Sequence, residues 1–387
     1  MTWARAALAE VATIISGATP KTGVAEFWDG GIPWATPKDL SELGTATIAR
    51  TPRTISDAGL RSCGATILPA GSVLFSSRAP IGHVAINAVP MATNQGFKSL
   101  VPKAGKLNAV YLYHWFRANR RQLEALGNGA TFKEVSKAVV SRVEIPLPPI
   151  EEQRRIAAIL DHADELVRMR LAALGRADLL LQVLIQESLA ASESQVPLKE
   201  LADIRIGPFG SLLHREDYVE GGVPLINPMH IVAGALAADP AYSVTDDKAA
   251  QLERYRLREG DVVMGRRGEM GRCARVLRPH DGYLCGTGSL IIRPLPERSR
   301  STYLQCVLSA PRTVRSLESR ALGVTLPNLN TKIMEELPVP SLALDAQRRL
   351  EDLVERVDAL RASMESQAKA IGRMFGTLQA RAFSGRL

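Results

Sequence analysis

Three prolines and the long run after them constrain this chain most. In Ile145-Pro146-Leu147-Pro148-Pro149-Ile150-Glu151-Glu152-Gln153-Arg154-Arg155-Ile156 the prolines fix φ and cannot enter a helix interior. The backbone is therefore held extended up to Pro149. Glu151 and Glu152 follow where a helix N-terminus favours negative charge, and from Ile150 to about Ala190 no proline interrupts. The sequence predicts a long helix there. The device recurs at Leu337-Pro338-Val339-Pro340-Ser341-Leu342-Ala343-Leu344-Asp345-Ala346-Gln347-Arg348-Arg349-Leu350, again with Gln-Arg-Arg in the first turns.

The recurrence extends through the chain. Asp29-Gly30-Gly31-Ile32-Pro33 and the following residues to Pro37 align without gaps on Glu220-Gly221-Gly222-Val223-Pro224 and on to Pro228. Leu68 to Leu74 matches Leu257 to Val263, and each copy continues to an arginine (Arg78, Arg267) and a glycine (Gly82, Gly271). Tyr111-Leu112 matches Tyr303-Leu304, and Gly129-Ala130-Thr131-Phe132 matches Gly323-Val324-Thr325-Leu326. Matched segments lie about 190 residues apart in the same order, so the chain is two copies of one unit. Each copy reads as a mixed α/β domain whose Gly-rich turns precede buried β-branched strands. Such domains present loops on a scaffold, where recognition commonly resides.

Both helices carry a heptad pattern. In the second, apolar residues fall at Leu350, Leu353, Val357, Leu360, Met364, Ile371, Met374 and Leu378, with Gln367 the one break. In the first, the same register gives Ile156, Ile159, Ala163, Leu166, Arg170, Ala173, Ala177, Leu180 and Leu184. Alternating spacings of three and four define a coiled-coil seam. Two copies of one unit in one chain pack most simply about a pseudo-two-fold axis. The expectation is an antiparallel helix pair with the globular domains at its opposite ends.

Composition narrows the function. No stretch approaches the ~20 uninterrupted apolar residues of a membrane span, and Met1-Thr2-Trp3-Ala4-Arg5 has no apolar core followed by a cleavage site. Cys63, Cys273, Cys285 and Cys306 show no CxxC spacing. Four reduced cysteines in a cytoplasmic protein is the expected reading. A formal charge of +8 and a pI near 9.4 point to a polyanionic partner.

Signs of catalysis are few. No phosphate loop, HExxH or GxSxG motif occurs, and the six histidines are scattered without metal-ligand spacing. Asn227-Pro228-Met229-His230 resembles in part the Asn-Pro-Pro-aromatic motif of amino-methyltransferases, but it lacks the second proline and the aromatic. Gly268-Glu269-Met270-Gly271 has the spacing of a GxxG RNA clamp, yet its central acid opposes phosphate, and a turn is the better reading. No metal or cofactor site is expected. Basic loops are the stronger signal: Arg266, Arg267 and Arg272 lie on a Gly-flexed turn, Arg78 with Lys98 takes the comparable place in the first copy, and Lys38 is a further DNA-binding candidate. Arginine bridges guanine O6 and N7 with two hydrogen bonds, while lysine holds phosphates. A solvated charged loop is the plainer alternative. A second polar cluster precedes each proline exit: Thr131, Lys133 and Lys137 in the first copy, Asn328, Asn330 and Lys332 in the second. These read equally as contacts or as a helix cap and turn.

The run from Ile145 through Gln153-Arg154-Arg155-Ile156-Ala157-Ala158-Ile159-Leu160-Asp161, with Gly129-Ala130-Thr131 before it, closely resembles the signature of type I restriction–modification specificity subunits. The second copy departs from it, with Asp345-Ala346-Gln347 for Glu-Glu-Gln. The resemblance covers essentially the whole chain. It implies an α+β fold with two pseudo-repeated mixed α/β target recognition domains (1–148 and 195–340) separated by two long helices (149–194 and 341–387) that form an antiparallel coiled coil. It further implies a non-catalytic subunit that binds double-stranded DNA. Each domain reads one half of a gapped target, and the helices dock two modification subunits, joined in the full complex by restriction subunits. S-adenosylmethionine then belongs to the modification subunit and ATP to the restriction subunit. The competing readings are the targeting half of a self-contained methyltransferase or nuclease, and a bivalent scaffold that does not touch DNA.

Overall fold

The proline exits become short strands that close each copy on itself. In this computed structural model, which describes residues 3–78, 80–128, 133–192, 194–209, 212–321 and 328–387, strand Glu144–Pro146 pairs antiparallel with Arg5–Ala7, and Pro338–Pro340 pairs the same way with Gln195–Pro197. The beginning of each copy is thereby tied to the residues just before its long helix. Tyr111 donates its phenolic hydrogen to Pro146 O at 2.9 Å, and Tyr303 does so to Pro340 O. Proline lends itself to this edge, since its ladder partner needs no donor from it.

Beyond that ribbon each copy holds a larger and a smaller sheet, and among the described residues the second adds the hairpin Ile231–Val232 with Ala235–Leu236. In the first, a five-stranded sheet contains Ala12–Ser16, Lys98–Pro102, Val73–Phe75 and Val84–Asn87 in that spatial order, with Thr47–Ile48 outermost. A three-stranded sheet sets Trp28–Ala35 between Thr54–Ile55 and Ala92–Thr93. In the second copy Ala202–Ile206, Ser289–Pro294, Val262–Gly265 and Cys273–Arg275 follow the same order, and Val223–Ile226 lies between Ser243–Val244 and Leu284–Cys285. The β-branched stretches after the Gly turns are buried strands, as their composition predicts. Helices Ala109–Ala118 and Ser301–Ser309 cover the larger sheets, burying Tyr111 and Leu112 or Tyr303 and Leu304. Fold class therefore follows the sequence reading.

The long helices run Ile150–Ala190 and Leu344–Phe383. The chain divides into two units, one of residues 1–173 with 364–387 and the other of 174–363, so each helix gives part of its length to each unit. In the first unit Ile156, Leu160, Ala163 and Val167 join the core together with Phe375, Leu378, Ala382 and Leu387. Arg155 Nη2 reaches Leu387 O, while Arg117 bonds Asp164 and lies over Phe375, so the two segments run antiparallel. In the second unit Leu181, Ile185 and Leu189 share a core with Leu350 and Val354, and Arg361 pairs with Asp178 at 2.6 Å.

The seam differs from its predicted register at one of the two positions in each heptad. Leu160, Leu181, Val354 and Phe375 face inward where the spacing favours Ile159, Leu180, Leu353 and Met374. Leu180, Leu360 and Met374 are exposed, as is Arg170. Adjacent apolar pairs such as Ile159-Leu160 and Leu353-Val354 satisfy either register. The aromatic helix decides in the first unit, where His114 meets Phe375 and Tyr111 meets Phe383 edge to face.

One residue in both copies ties the start of the long helix to the loop before the aromatic helix. Gln153 is fully buried; its Oε1 accepts from the Asn108 amide, and its Nε2 donates to the carbonyls of Lys106 and Pro148, all at 2.9 Å. Gln347 repeats the pattern with the Arg300 amide at 2.9 Å and the carbonyls of Arg298 and Leu342 at 3.1 and 2.8 Å. The acids beside Gln153 make only local pairs to Arg154 and Arg155, which explains how the second copy dispenses with them. Gln153→Ala strands a buried amide and two carbonyls, and we expect a loss of about 2–4 kcal/mol. Glu151→Ala should change stability by less than about 0.5 kcal/mol. Urea unfolding of both variants measures the difference.

Candidate nucleic-acid interface

Each copy brings the same three loops to one tip by main-chain hydrogen bonds. In the first, Ser77 N–H donates to Gly96 O and Val135 N–H to Ser77 O, both at 2.8 Å. In the second, Arg266 N–H donates to Gly288 O at 2.9 Å and Leu329 N–H to Arg266 O at 3.0 Å. Gly17 and Gly207 let the strand that enters each tip pass close beneath: a Cβ there would lie 2.0 Å from Asn94 O and 2.4 Å from Gly286 O respectively. A short turn opens beside each tip and is capped alike. Asp39 Oδ2 accepts from the Thr36 amide at 2.7 Å, and His230 Nδ1 from the Asn227 amide at 3.2 Å. The Asn-Pro-Met-His stretch is thus occupied by capping.

Arg78 and Arg267 occupy one position in this scheme, each bridged through its backbone to the segment before the exit: Arg78 to Glu134, Arg267 to Asn328. Both side chains are exposed. Arg78 Nε donates to Glu134 Oε2 at 2.7 Å, and Lys98 Nζ to Glu134 Oε1 at 3.0 Å. Lys98 is only 7% exposed, so its ammonium lies beneath the tip. Arg266 is 8% exposed with Nε unpartnered; burial, then the like charge of Arg267, lowers its pKa. Arg272 pairs with Glu269, and Lys38 sits exposed on the short helix Pro37–Ser41 within reach of Glu42. Lys133 and Lys332 are exposed. Asn330 caps helix Thr331–Glu335 through the Ile333 amide at 2.8 Å, as Ser136 caps Lys137–Arg142. The cap reading therefore holds for Asn330. Thr131, with Gly129-Ala130-Phe132 and the matching 323–326, lies outside the described residues.

Sequence reasoning counted cations and passed over two groups. Glu134 is one; its signal was its place opposite an arginine that recurs in both copies. The other is Arg53, whose guanidinium stacks 3.6 Å from the Trp28 ring. Trp28 in turn donates its indole hydrogen to Lys21 O, and Trp34 donates to Ala18 O in the same loop.

All four cysteines are free, and burial pushes the thiols of Cys273 and Cys306 up to about 12 and about 11. Among the described residues no cluster of His, Cys, Asp and Glu could hold a metal ion, and no helix is long and apolar enough to cross a membrane.

Burial alone would raise the Glu134 pKa, but the hydrogen bonds from Lys98 and Arg78 outweigh it and leave the pKa lowered. A carboxylate depressed on folding adds stability above its unfolded pKa and loses it as pH falls through the folded one. Urea midpoints of the wild type and Glu134→Gln should differ at neutral pH and converge in acid.

The model of the type I restriction modification DNA specificity domain matches residues 1–174 and 193–371. The specificity subunit of the MjaIX type I restriction enzyme of Methanocaldococcus jannaschii is 39% identical over 167 residues, 43% of this chain and 38% of that protein. That of EcoR124I/EcoR124II from Escherichia coli is 29% identical over 166 residues, 41% of this chain and 40% of that protein. The matched stretch thus spans about two fifths of these relatives. Among solved structures, the type I system S subunit from M. genitalium superposes with a TM-score of 0.57 at 15% identity, covering 98% of this chain and 96% of that one. A chain from a study of assembly and conformational transition in the type I system gives 0.66 at 20%, covering 100% and 98%. These two likenesses concern the fold. With two matched copies taking up most of its length, the chain belongs to the type I restriction modification DNA specificity domain family.

Proposed function

We propose that this chain is the DNA-reading subunit of a type I restriction–modification complex, each tip contacting one half of a gapped duplex target. The observation that carries this is the equivalence of the two tips: one main-chain scheme, repeated, presents Arg78 in one copy and Arg267 in the other. Lys38, Lys133, Arg272 and Lys332 suit phosphate contacts around them, and Asn328 a base edge. Thr131 remains a candidate by its position in the sequence. Lys98 and Arg266, being buried, contribute charge from below. In this reading residues 1–148 and 195–340 recognise DNA and 149–194 and 341–387 connect them. The chain performs no methyl transfer or cleavage itself; the methyl donor is held by the modification subunit, and ATP by a restriction subunit where one joins.

Docking of a modification subunit on the second unit has its own support, and by the repeat we infer a second on the first. Leu179, Leu180 and Val183 in one unit, and Met169, Leu171 and Met374 in the other, are large apolar side chains exposed on the long helices. Isolated exposed apolar residues are ordinary, but Leu179 and Val183 lie four residues apart on one helix face with Leu180 beside them, the kind of patch a partner covers.

Two outcomes test the reading. Arg267→Ala should weaken duplex binding by about 1–3 kcal/mol and relax base choice in one half-site, leaving the other intact. Target selection from a random duplex library, with modification subunits present, reads this directly; unchanged affinity and target would make Arg267 an ordinary surface charge. Leu179→Glu with Val183→Glu should abolish co-elution with the modification subunit while thermal unfolding stays near the wild type. Retained co-elution would remove this face from the interface.

A further inference from the structure

Beneath the equivalent arginines the two copies differ, and the difference is paired. Where the first has Lys98 the second has Leu290: Lys98 faces Ser16 across the sheet, and Leu290 faces Ile206 at the same point of the matching ladder. Where the first has Glu134 the second has Asn328. One unit thus places a buried cation under an acid that holds an arginine, and the other has a buried leucine and an amide at the matching positions beside Arg267. Asn328 Oδ1 is buried without a partner, and among the described residues no side-chain hydrogen bond or ion pair to Arg267 is made.

The stacking has a consequence for Arg78. A carboxylate on Nε fixes the plane of the guanidinium and leaves the terminal amino groups free, with the spacing that guanine O6 and N7 require. An arginine without that support gives up several rotatable bonds on binding. A bare glutamate at a DNA-facing tip would repel phosphate and cancel the charge of Arg78. Lys98 offsets that: two cations and one anion leave a net charge of one positive at the tip, held close together by the 2.7 and 3.0 Å hydrogen bonds. The buried lysine lets an acid orient the arginine without neutralising it.

We propose that Lys98 and Glu134 form a buttress that presets Arg78 for guanine, making the first tip more stringent at that base than the second is at the base facing Arg267. This rests on the reading of the tips as DNA contacts. Glu134 is then a positioning residue, acting through Arg78.

The experiment grafts one solution onto the other. Lys98→Leu with Glu134→Asn installs the second unit's pair in the first, and Leu290→Lys with Asn328→Glu does the reverse. Each graft exchanges one buried residue and its half-buried neighbour for the two that the matching copy carries at those positions. Targets are selected from a random duplex library by each variant assembled with modification subunits, beside Arg78→Ala. Arg78→Ala should lose a guanine preference in the first half-site. The first graft should weaken that preference about fivefold or more and leave the second half-site alone. Because it removes one cation and one anion, the slope of affinity against salt should not move, whereas general damage to the tip would shift it. The reverse graft should sharpen base choice in the second half-site. Undiminished guanine preference in the first graft, with Arg78→Ala having lost it, overturns the buttress. No effect of Arg78→Ala would instead fell the reading of Arg78 as a base contact. Should the first graft fail to fold, the reverse graft decides: unchanged base choice in the second half-site overturns the proposal.

Discussion

Each half of this protein depends on a glutamine that cannot leave its partners. Gln153 and Gln347 are fully buried on the first turn of a long helix, and each satisfies an amide and two carbonyls from segments that would otherwise be loose ends. Burying a primary amide unpaired costs more than any one of its hydrogen bonds contributes, so the arrangement is close to all-or-none. It fixes where the helix begins and where the loop before the aromatic helix runs. With the proline ribbon, it makes helix and sheet one body in each unit. The acids that make the signature conspicuous in the sequence matter less than the glutamine beside them.

The architecture was legible because its determinants are local. Prolines stop a helix wherever they stand, a proline-free run after an acidic pair starts one, and a gapless repeat carries its fold with it; helix Ile150–Ala190 begins right after Pro149. The seam register was not legible, for a physical reason. Ile159-Leu160 and Leu353-Val354 offer a side chain to either phase, and period alone cannot choose. The choice came from Phe375 and Phe383 packing on His114 and Tyr111, residues more than two hundred positions away.

The site was legible in outline only. Net charge reports a sum, and a sum does not separate Arg267, which is exposed, from Arg266 and Lys98, which are buried. Counting basic residues also hides the acids between them. Glu134 stands beside Lys133 in the sequence, yet its partners Arg78 and Lys98 are 56 and 36 residues away. Many of the remaining charges are spent within helices, as in the pairs Arg154–Glu151 and Arg155–Glu152. Such exposed pairs are worth little and carry no information about a partner.

What holds the tips explains how two copies of one fold can diverge there. Ser77 to Gly96 and Arg266 to Gly288 are amide-to-carbonyl bonds, which every residue except proline can make. The strict demands on side chains are mostly negative: glycine at 17 and 207, where any Cβ would collide with a carbonyl, at 286, where it would meet Asn227, and at 288, whose φ is +84°. The side chains of residues 78, 98 and 134, like those of 267, 290 and 328, hang from a frame whose main-chain bonds do not depend on which side chains they are. Replacing a lysine–glutamate pair by leucine and asparagine leaves that frame in place, because the layer beneath exchanges one self-consistent pair for another. A single exchange would not. Leucine under Glu134 leaves the acid with one cation in place of two, and asparagine over Lys98 leaves a buried ammonium without its counter-charge, the costlier error. Divergence at the tips is therefore expected in steps of two, and a lone substitution at 98 or 134 is the one the fold resists.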